Sequence, residues 1–548
     1  MLEIKQRKSS IFRPFLATWV TLFAVLLALS SAVAEPRITS IERIHAAPAF
    51  AAIDVASGEY EDRLWLELQG HTQVATVLAE PADDLLARLR KGFEFPAVAN
   101  RRVVAQLDWF VRHPDYLSRV LTRAQRYMPY ITEQIEARGL PLDLALLPIV
   151  ESAYDPFAYS HGRAAGLWQI IPGTAKRFGI RQNWWYDGRR DIVDSTRGAL
   201  DYLSHLNEIM DGDWMLAIAS YNSGEGNVLK AIKRNKARAT PTDFWSLSLS
   251  KETSAYVPKL IALVTIVKNP AAFGLTLPEI RYESQFARAD VGGQLDLALA
   301  AELAGLDLDT LYAYNPGYNR WATDPAGPHR LQLPIDVYET FNRALATVPS
   351  DERIRWQRHK IKNGETISEI AEHYHTTLAS IRAANGIRGN TIRAGQHLMI
   401  PVARKPLTAY SQSADARREK KQNTQRSGNR VDHIVASGES FWSIGRRYSV
   451  GMRDLATWNG MAPRDTLSIG QTLVIWTKQS VPGNAVPSGG TTRKLNYTVR
   501  SGDSLYLIAS RFRVTVNDLV RWNKIDKNKI LRPGQKLMMW VDVTAQSS

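Results

Sequence analysis

The chain has 548 residues, a formal net charge of +15 and no cysteine. Its length implies three or more domains, and 45% hydrophobic with 22% charged residues excludes a wholly disordered chain. Without cysteine there are no disulfides, thiolate metal sites, cysteine nucleophiles or cysteine-linked lipid anchor. The basic balance favours anionic partners without choosing among them.

The N-terminus reads as an export signal. Lys5, Arg7, Lys8 and Arg13 form a positive start, Phe15 to Leu29 is mostly apolar, and Ala32-Val33-Ala34 is a small-x-small site ahead of Glu35. Residues 1–34 are therefore predicted to be a cleaved signal, with an uncleaved anchor as the alternative because Phe15 to Ala34 is long enough to span a bilayer. Either way the remainder works outside the cytoplasm, in the periplasm and at the cell envelope, where nucleic acid is not an expected partner. Residues 35–100 form an N-terminal extension with an amphipathic stretch near Asp83–Gly92.

From 101 to 285 the pattern is helical. Val103, Val104, Leu107, Phe110 and Val111 recur at three and four spacings. His113-Pro114-Asp115 breaks that helix and another runs through Leu117, Val120, Leu121 and Ala124. Gly139 caps a helix, and Pro141 suits the first position of the next. Asp194-Ser195-Thr196 reads as the N-cap of a helix to Met210, and Asp213 caps one over Trp214 to Tyr221, which Gly224 ends.

Beyond residue 290 the texture becomes repetitive. His359-Lys360-Ile361 precedes Gly364-Glu365-Thr366, His433-Ile434-Val435 precedes Gly438-Glu439-Ser440, and Tyr497-Thr498-Val499 precedes Gly502-Asp503-Ser504. An asparagine follows each glycine by 21 residues (Asn385, Asn459, Asn523), and then a Gly-Gln pair and an apolar strand. Each unit reads strand, helix, helix, strand, with the Gly-acid-hydroxyl triplet as turn and cap. The units at 357–402, 431–477 and 494–541 resemble LysM modules, a resemblance that implies binding to N-acetylglucosamine-containing glycans. A degenerate copy is expected at 291–335, where Ala301, Leu311 and Asn315 keep the register and the triplet is missing. Residues 403–430 carry eight Lys or Arg against two acids, and 478–493 are rich in Pro and Gly; both read as flexible linkers.

The chemistry concentrates between Leu140 and Gly224. Leu144 to Val150 is an apolar segment ending in Glu151-Ser152. Burial in such surroundings would hold a carboxyl group protonated and suit it to donation to a glycosidic oxygen; on position alone a capping or salt-bridged glutamate is the favoured reading. Its company is more telling: Ser160 nine residues on, Gly166-Leu167-Trp168-Gln169, then Tyr221-Asn222-Ser223-Gly224. With these motifs the chain resembles the lytic murein transglycosylases, in particular the membrane-bound type D branch that carries LysM modules.

That resemblance implies a mainly α, lysozyme-like catalytic domain with a small β-hairpin, followed by small βααβ modules. It implies Glu151 as the single catalytic acid/base, Gln169 on a hairpin facing it, Tyr221 near the carboxylate, Asn222 in support, and Ser160 steadying the N-acetyl group or Glu151. It implies nonhydrolytic cleavage of the N-acetylmuramic acid–N-acetylglucosamine β-1,4 bond with 1,6-anhydromuramic ends, and no cofactor. Two features depart from the family. His161 and Arg163 occupy loop positions that are often small, and the lipid-bearing cysteine common in this branch is missing.

Other readings stay open at this level. Asp155, Asp187, Asp191 and Asp194 are expected to cap helices or pair with Arg189, Arg190 and Arg197; a second acid about 5–9 Å from Glu151 would make the enzyme a hydrolytic muramidase. A noncatalytic wall-binding scaffold is the other alternative. Of the tryptophans Trp168, Trp184, Trp185 and Trp214, only Trp168 is expected in the cleft. His373 and His375 lack a third ligand in the sequence, so no metal site is expected.

Overall fold

A computed structural model describes residues 84–478, except 99, and 492–542, except 501–502, 513, 515, 524 and 526–530. The predicted signal and most of the 35–100 extension lie outside the described residues. Among the described residues, no helix is long and apolar enough to cross a membrane.

Helices dominate up to Lys268. Asp84 accepts from the backbone N–H groups of Leu86 and Ala87 and starts the helix Leu85–Lys91. The apolar stripe of Arg101–Arg112 buries Val103, Val104, Leu107 and Phe110. His113-Pro114 separates it from Pro114–Ala124, as proline in a first turn requires. Met128–Glu136 ends near Gly139, whose φ of +61° suits glycine. Pro141, expected as the first residue of the next helix, instead lies one position earlier, as the cap of a 3₁₀ turn, Leu142–Leu146, which runs into the short helix Leu147–Ser152. Buried Asp143 accepts from the backbone N–H of Glu94 (2.7 Å) and Phe95 (3.2 Å), tying the preceding segment to this turn. The cap of Ile192–Ile209 is Asp191, three residues before the predicted one, and accepts from Val193 and Asp194 N–H. Asp194 is left in the first turn, where it meets Arg330 and the Tyr186 hydroxyl.

The helix Lys251–Lys268 runs through the middle of this domain. Val257, Leu260, Ile261, Leu263, Val264, Ile266 and Val267 are all buried, and it packs against Arg101–Arg112, Leu147–Ser152 and Trp214–Ser223. A helix buried on most faces is rigid where it passes the site.

Four two-stranded antiparallel sheets follow: Phe286–Asp290 with Arg330–Pro334, Arg355–Lys360 with His397–Val402, Asn429–Ile434 with Thr472–Thr477, and Thr492–Thr498 with Lys536–Asp542. Two helices lie between the strands of each. The recurring asparagine explains its own spacing. Asn459 donates to the carbonyls of Leu455 and Val474 and accepts from Val474 N–H, locking the second helix to the closing strand. Asn385 and Asn523 do the same, and so does Asn315, through Leu311 and Gln332. The recurring acid is structural too: Glu439 accepts from His433 (2.7 Å) and from Ala436 N–H (2.8 Å). Asn459→Ala leaves buried backbone groups unpaired and is expected to cost this module roughly 3 kcal/mol, read as a lowered melting transition of the full chain.

The segment 403–430 is a correction to the sequence reading. It folds into a turn at Leu407–Ala409 and a helix, Ala414–Asn423, rather than a flexible tether. Tyr410 is fully buried, with its hydroxyl on Asp296; Arg404 N–H also bonds Asp296, and Arg320 pairs with Asp415. At the far end Gln422 donates to Asn459 and the Thr472 carbonyl. The charge count gave no sign of this because the contacts come from Tyr410 and a few polar tips, while most of the lysines stay in solvent.

Candidate active site

Glu151 lies in the last turn of Leu147–Ser152, whose Leu147, Pro148 and Ile149 are buried. Ala153 and Tyr154 turn away in the left-handed region, at φ 52° and 56°. The Ser152 hydroxyl donates to the Leu167 carbonyl (2.9 Å), fastening this helix end to the Gly-Leu-Trp-Gln segment. Removal of the Glu151 carboxyl from water pushes its pKa from 4.5 up to about 7. The Tyr256 hydroxyl donates a hydrogen bond to Glu151 and opposes that rise, while Glu252 adds to it and Lys259 opposes it. A carboxyl group at about 7 is divided between its two forms at neutral pH, the condition for giving and then taking a proton.

The predicted hairpin is a small one of isolated bridges, Tyr159 to Ala165 and Ala165 to Ile170. Ser160 sits at its turn, where its hydroxyl accepts from Ala164 N–H (3.0 Å). Gln169 has a φ of 45°, a conformation unfavourable for a side chain with Cβ, and its amide donates to the Gly166 carbonyl (2.8 Å). Tyr221 donates to the Trp168 carbonyl (2.7 Å), and burial together with Glu151 raises its pKa well above the usual value. Glu151, Tyr221 and the Gln169 segment are thus gathered on one side of the domain. Asn222 is placed differently: its side-chain oxygen accepts from the Thr253 hydroxyl (2.8 Å) and its amide faces Glu252 (3.5 Å).

Trp168 corrects the expectation of a cleft role. It is fully buried, with its indole N–H on the Thr196 hydroxyl (3.0 Å), so it supports the hairpin from beneath. Trp185 is core and Trp184 lies under Arg320. Of the four aspartates, Asp187 pairs with Arg189 and Arg190, Asp191 is a cap, and Asp155 accepts from Phe157 N–H. Arg197 pairs with Asp201 instead. His373 packs against Tyr374, and His375 offers its carbonyl to Trp321.

Sequence reasoning missed Glu252, Tyr256 and Lys259. Their signal was present as polar residues at i, i+4 and i+7, a stripe along one face of a largely apolar helix, on which Tyr256 is buried. Nothing in that spacing says that the stripe meets Glu151.

Three family models match the chain. The Transglycosylase SLT domain matches residues 129–244, the LysM-like domain of lytic transglycosylase MltD matches 285–350, and the LysM domain matches 359–401, 433–476 and 497–540. Membrane-bound lytic murein transglycosylase D of Escherichia coli (strain K12) is 35% identical over 406 residues, 71% of this chain and 86% of that protein. The autolysin of Enterococcus faecalis is 32% identical over 190 residues, 33% of this chain and 24% of that protein. Among solved structures, the lytic transglycosylase Slt of Pseudomonas aeruginosa is 24% identical with a TM-score of 0.22, over 28% of this chain and 25% of that one.

Proposed function

Because the chain belongs to the lytic murein transglycosylase D family, as a peptidoglycan lytic transglycosylase that binds the cell wall through LysM modules, we propose that Glu151 is its sole acid/base. The observation that carries this is the Glu151 carboxyl, desolvated to a pKa of about 7 and held by Tyr256 beside Tyr221. Protonated Glu151 gives its proton to the oxygen between N-acetylmuramic acid and N-acetylglucosamine. The carboxylate it becomes then takes the proton of the muramic 6-hydroxyl, whose oxygen closes on the anomeric carbon. One C–O bond breaks, one forms, and the proton count balances without water. Closure is intramolecular, so a high effective concentration replaces an external nucleophile.

Tyr221 shields the carboxyl from water and fixes the hairpin by its bond to the Trp168 carbonyl. Ser160 and Gln169 shape the hairpin surface along which the strand lies. Asn222 acts one step removed, orienting Glu252. The Glu252 charge also reaches Glu151, which keeps hydrolysis by a carboxylate pair as the second reading. The masses of products from purified wall separate the two: transglycosylation yields ends one water lighter than reducing ends, and a digest made only of reducing ends would overturn the proposal.

Tyr256 is expected to tune the reaction. Tyr256→Phe removes a bond that favours the Glu151 carboxylate, so the pKa rises. The alkaline limb of the pH–rate profile should move to higher pH, and kcat at the optimum should fall by about tenfold as the carboxyl loses its orientation. A fall in rate with an unmoved limb would reduce Tyr256 to packing.

For location we propose export to the periplasm and retention on the wall by the LysM modules.

A further inference from the structure

A cavity of about 950 Å³ shares Asn222 and Glu252 with the surroundings of Glu151 and is lined besides by cations that the cleavage reaction does not use. Its wall includes Asn222, Asn227, Lys230, Lys233, Arg234 and Glu252, three cations against one carboxylate. The cations fall at i, i+3 and i+4 of the helix Glu225–Ala237 and so share one face. Arg234 is anchored on the Ser248 carbonyl (2.9 Å). Lys230 and Lys233 are exposed and have no carboxylate partner among the described residues. The cavity joins the catalytic site through Glu252, which borders it and whose charge reaches Glu151, and through Asn222, which holds Glu252. A glycan strand alone offers little for three cations to meet. The peptide stems borne by its muramic residues do, because they carry free carboxylates.

Resting on the proposed function, we propose that this cavity binds a carboxylate of the peptide stem attached to the strand being cut. Lys230 and Lys233 attract it, and the Asn227 amide supplies a neutral donor beside them. Glu252 marks the border with the catalytic site and repels a carboxylate that comes too close to Glu151. The test uses the full chain and two soluble substrates, glycan strands with stems and the same strands with stems removed. The ratio of kcat/KM for the two should favour stem-bearing strands. It should fall by about three- to tenfold in the Lys230→Ala/Lys233→Ala double variant, the scale expected for two exposed charges. An unchanged ratio, or none in the parent, would overturn the proposal. A parent protein that cleaves neither substrate would instead overturn the proposed function.

The second LysM module touches the catalytic hairpin through separate contacts. The Tyr159 hydroxyl donates to Asp465 (3.0 Å), Arg163 pairs with Asp465 (2.9 Å), and His161 meets the Thr457 hydroxyl (2.9 Å). These are alternate residues of the hairpin tip, and His161 and Arg163 are the two that depart from the family pattern. Asp465 is well positioned to receive them because it also accepts from Ala462 N–H within its own module. The Ala414–Asn423 helix also contacts this module, through the Gln422 amide on Asn459.

We infer that this module clamps the hairpin bearing Ser160 and Gln169, acting as a positioning element for cleavage. Asp465→Asn/Thr457→Val alters only the module side and keeps an acceptor for Ala462 N–H. In the full chain it should speed hydrogen exchange of backbone amides at 160–166 and lower kcat on soluble strands severalfold, with wall retention unchanged. Hairpin exchange equal to that of the parent would overturn the clamp.

Discussion

Glu151→Gln is expected to lower cleavage of purified wall by at least about a thousandfold, the scale of a lost general acid–base, while retention on the wall stays at the parental level. Glutamine preserves volume and an acceptor for the Tyr256 hydroxyl, so the bond recorded at that position has a substitute. What disappears is the exchangeable proton. The same substitution has a stability signature of definite sign. Folding raises the Glu151 pKa from 4.5 to about 7, so the folded state binds this proton more tightly than the unfolded chain. The stabilisation that follows is complete below about pH 4.5 and is lost as pH rises through 7. The variant has no such loss. Its stability relative to the parent should rise across that window and level off about 3 kcal/mol higher. Thermal melts at pH 4, 6 and 8 measure it, and a difference independent of pH would mean that the carboxyl is solvated in the folded protein.

Deleting residues 431–548 is expected to reduce retention on purified wall by about a hundredfold while cleavage of soluble strands falls only severalfold. Two of the three full modules are removed, and with them the mutual reinforcement of tethered weak sites; when one module is bound, the others search a small volume around it. The smaller catalytic loss has its own cause, the end of the Asp465 contacts with Tyr159 and Arg163. Equal losses in both assays would mean that the modules serve folding of the catalytic domain rather than attachment. The hydrophobic clusters speak for separate folding: Val435, Phe441, Ile444, Leu455 and Leu473 form a core of their own, apart from the one around Glu151.

Much of this molecule is legible from its amino acids because the relevant forces act over short stretches. The Gly-acid-hydroxyl triplet marks each module because the hydroxyl caps the next helix and the acid closes the preceding turn. The 21-residue step to asparagine persists because that side chain must reach a carbonyl one turn back and a strand beyond. Glu151 stands out because an apolar run ends on it and Ser152, Gly-Leu-Trp-Gln and Tyr-Asn follow in register. The cap of Ile192–Ile209 was misplaced by three residues because Asp191 and Asp194 are chemically equal candidates; only the approach of Arg330 and Tyr186 sends Asp194 elsewhere.

Tertiary packing decided the rest. Tyr256 is 105 residues from Glu151, and Asp465 is 306 from Tyr159. Spacing carries no trace of such pairs, because no local periodicity reaches so far: the chain from Glu151 to Tyr256 winds through their common core, and the chain from Tyr159 to Asp465 passes through separate cores before returning. The depth of Glu151 in low dielectric, the burial of Trp168 beneath the hairpin and the ordering of 403–430 around Tyr410 all depend on what lies across the gap, not on what lies next in sequence. The amino-acid order by itself therefore determined the modules and the acid residue, through contacts within a turn or two. The packing of Lys251–Lys268 against the helix of Glu151 decided how strongly that acid holds its proton, because desolvation is set by the whole surrounding shell.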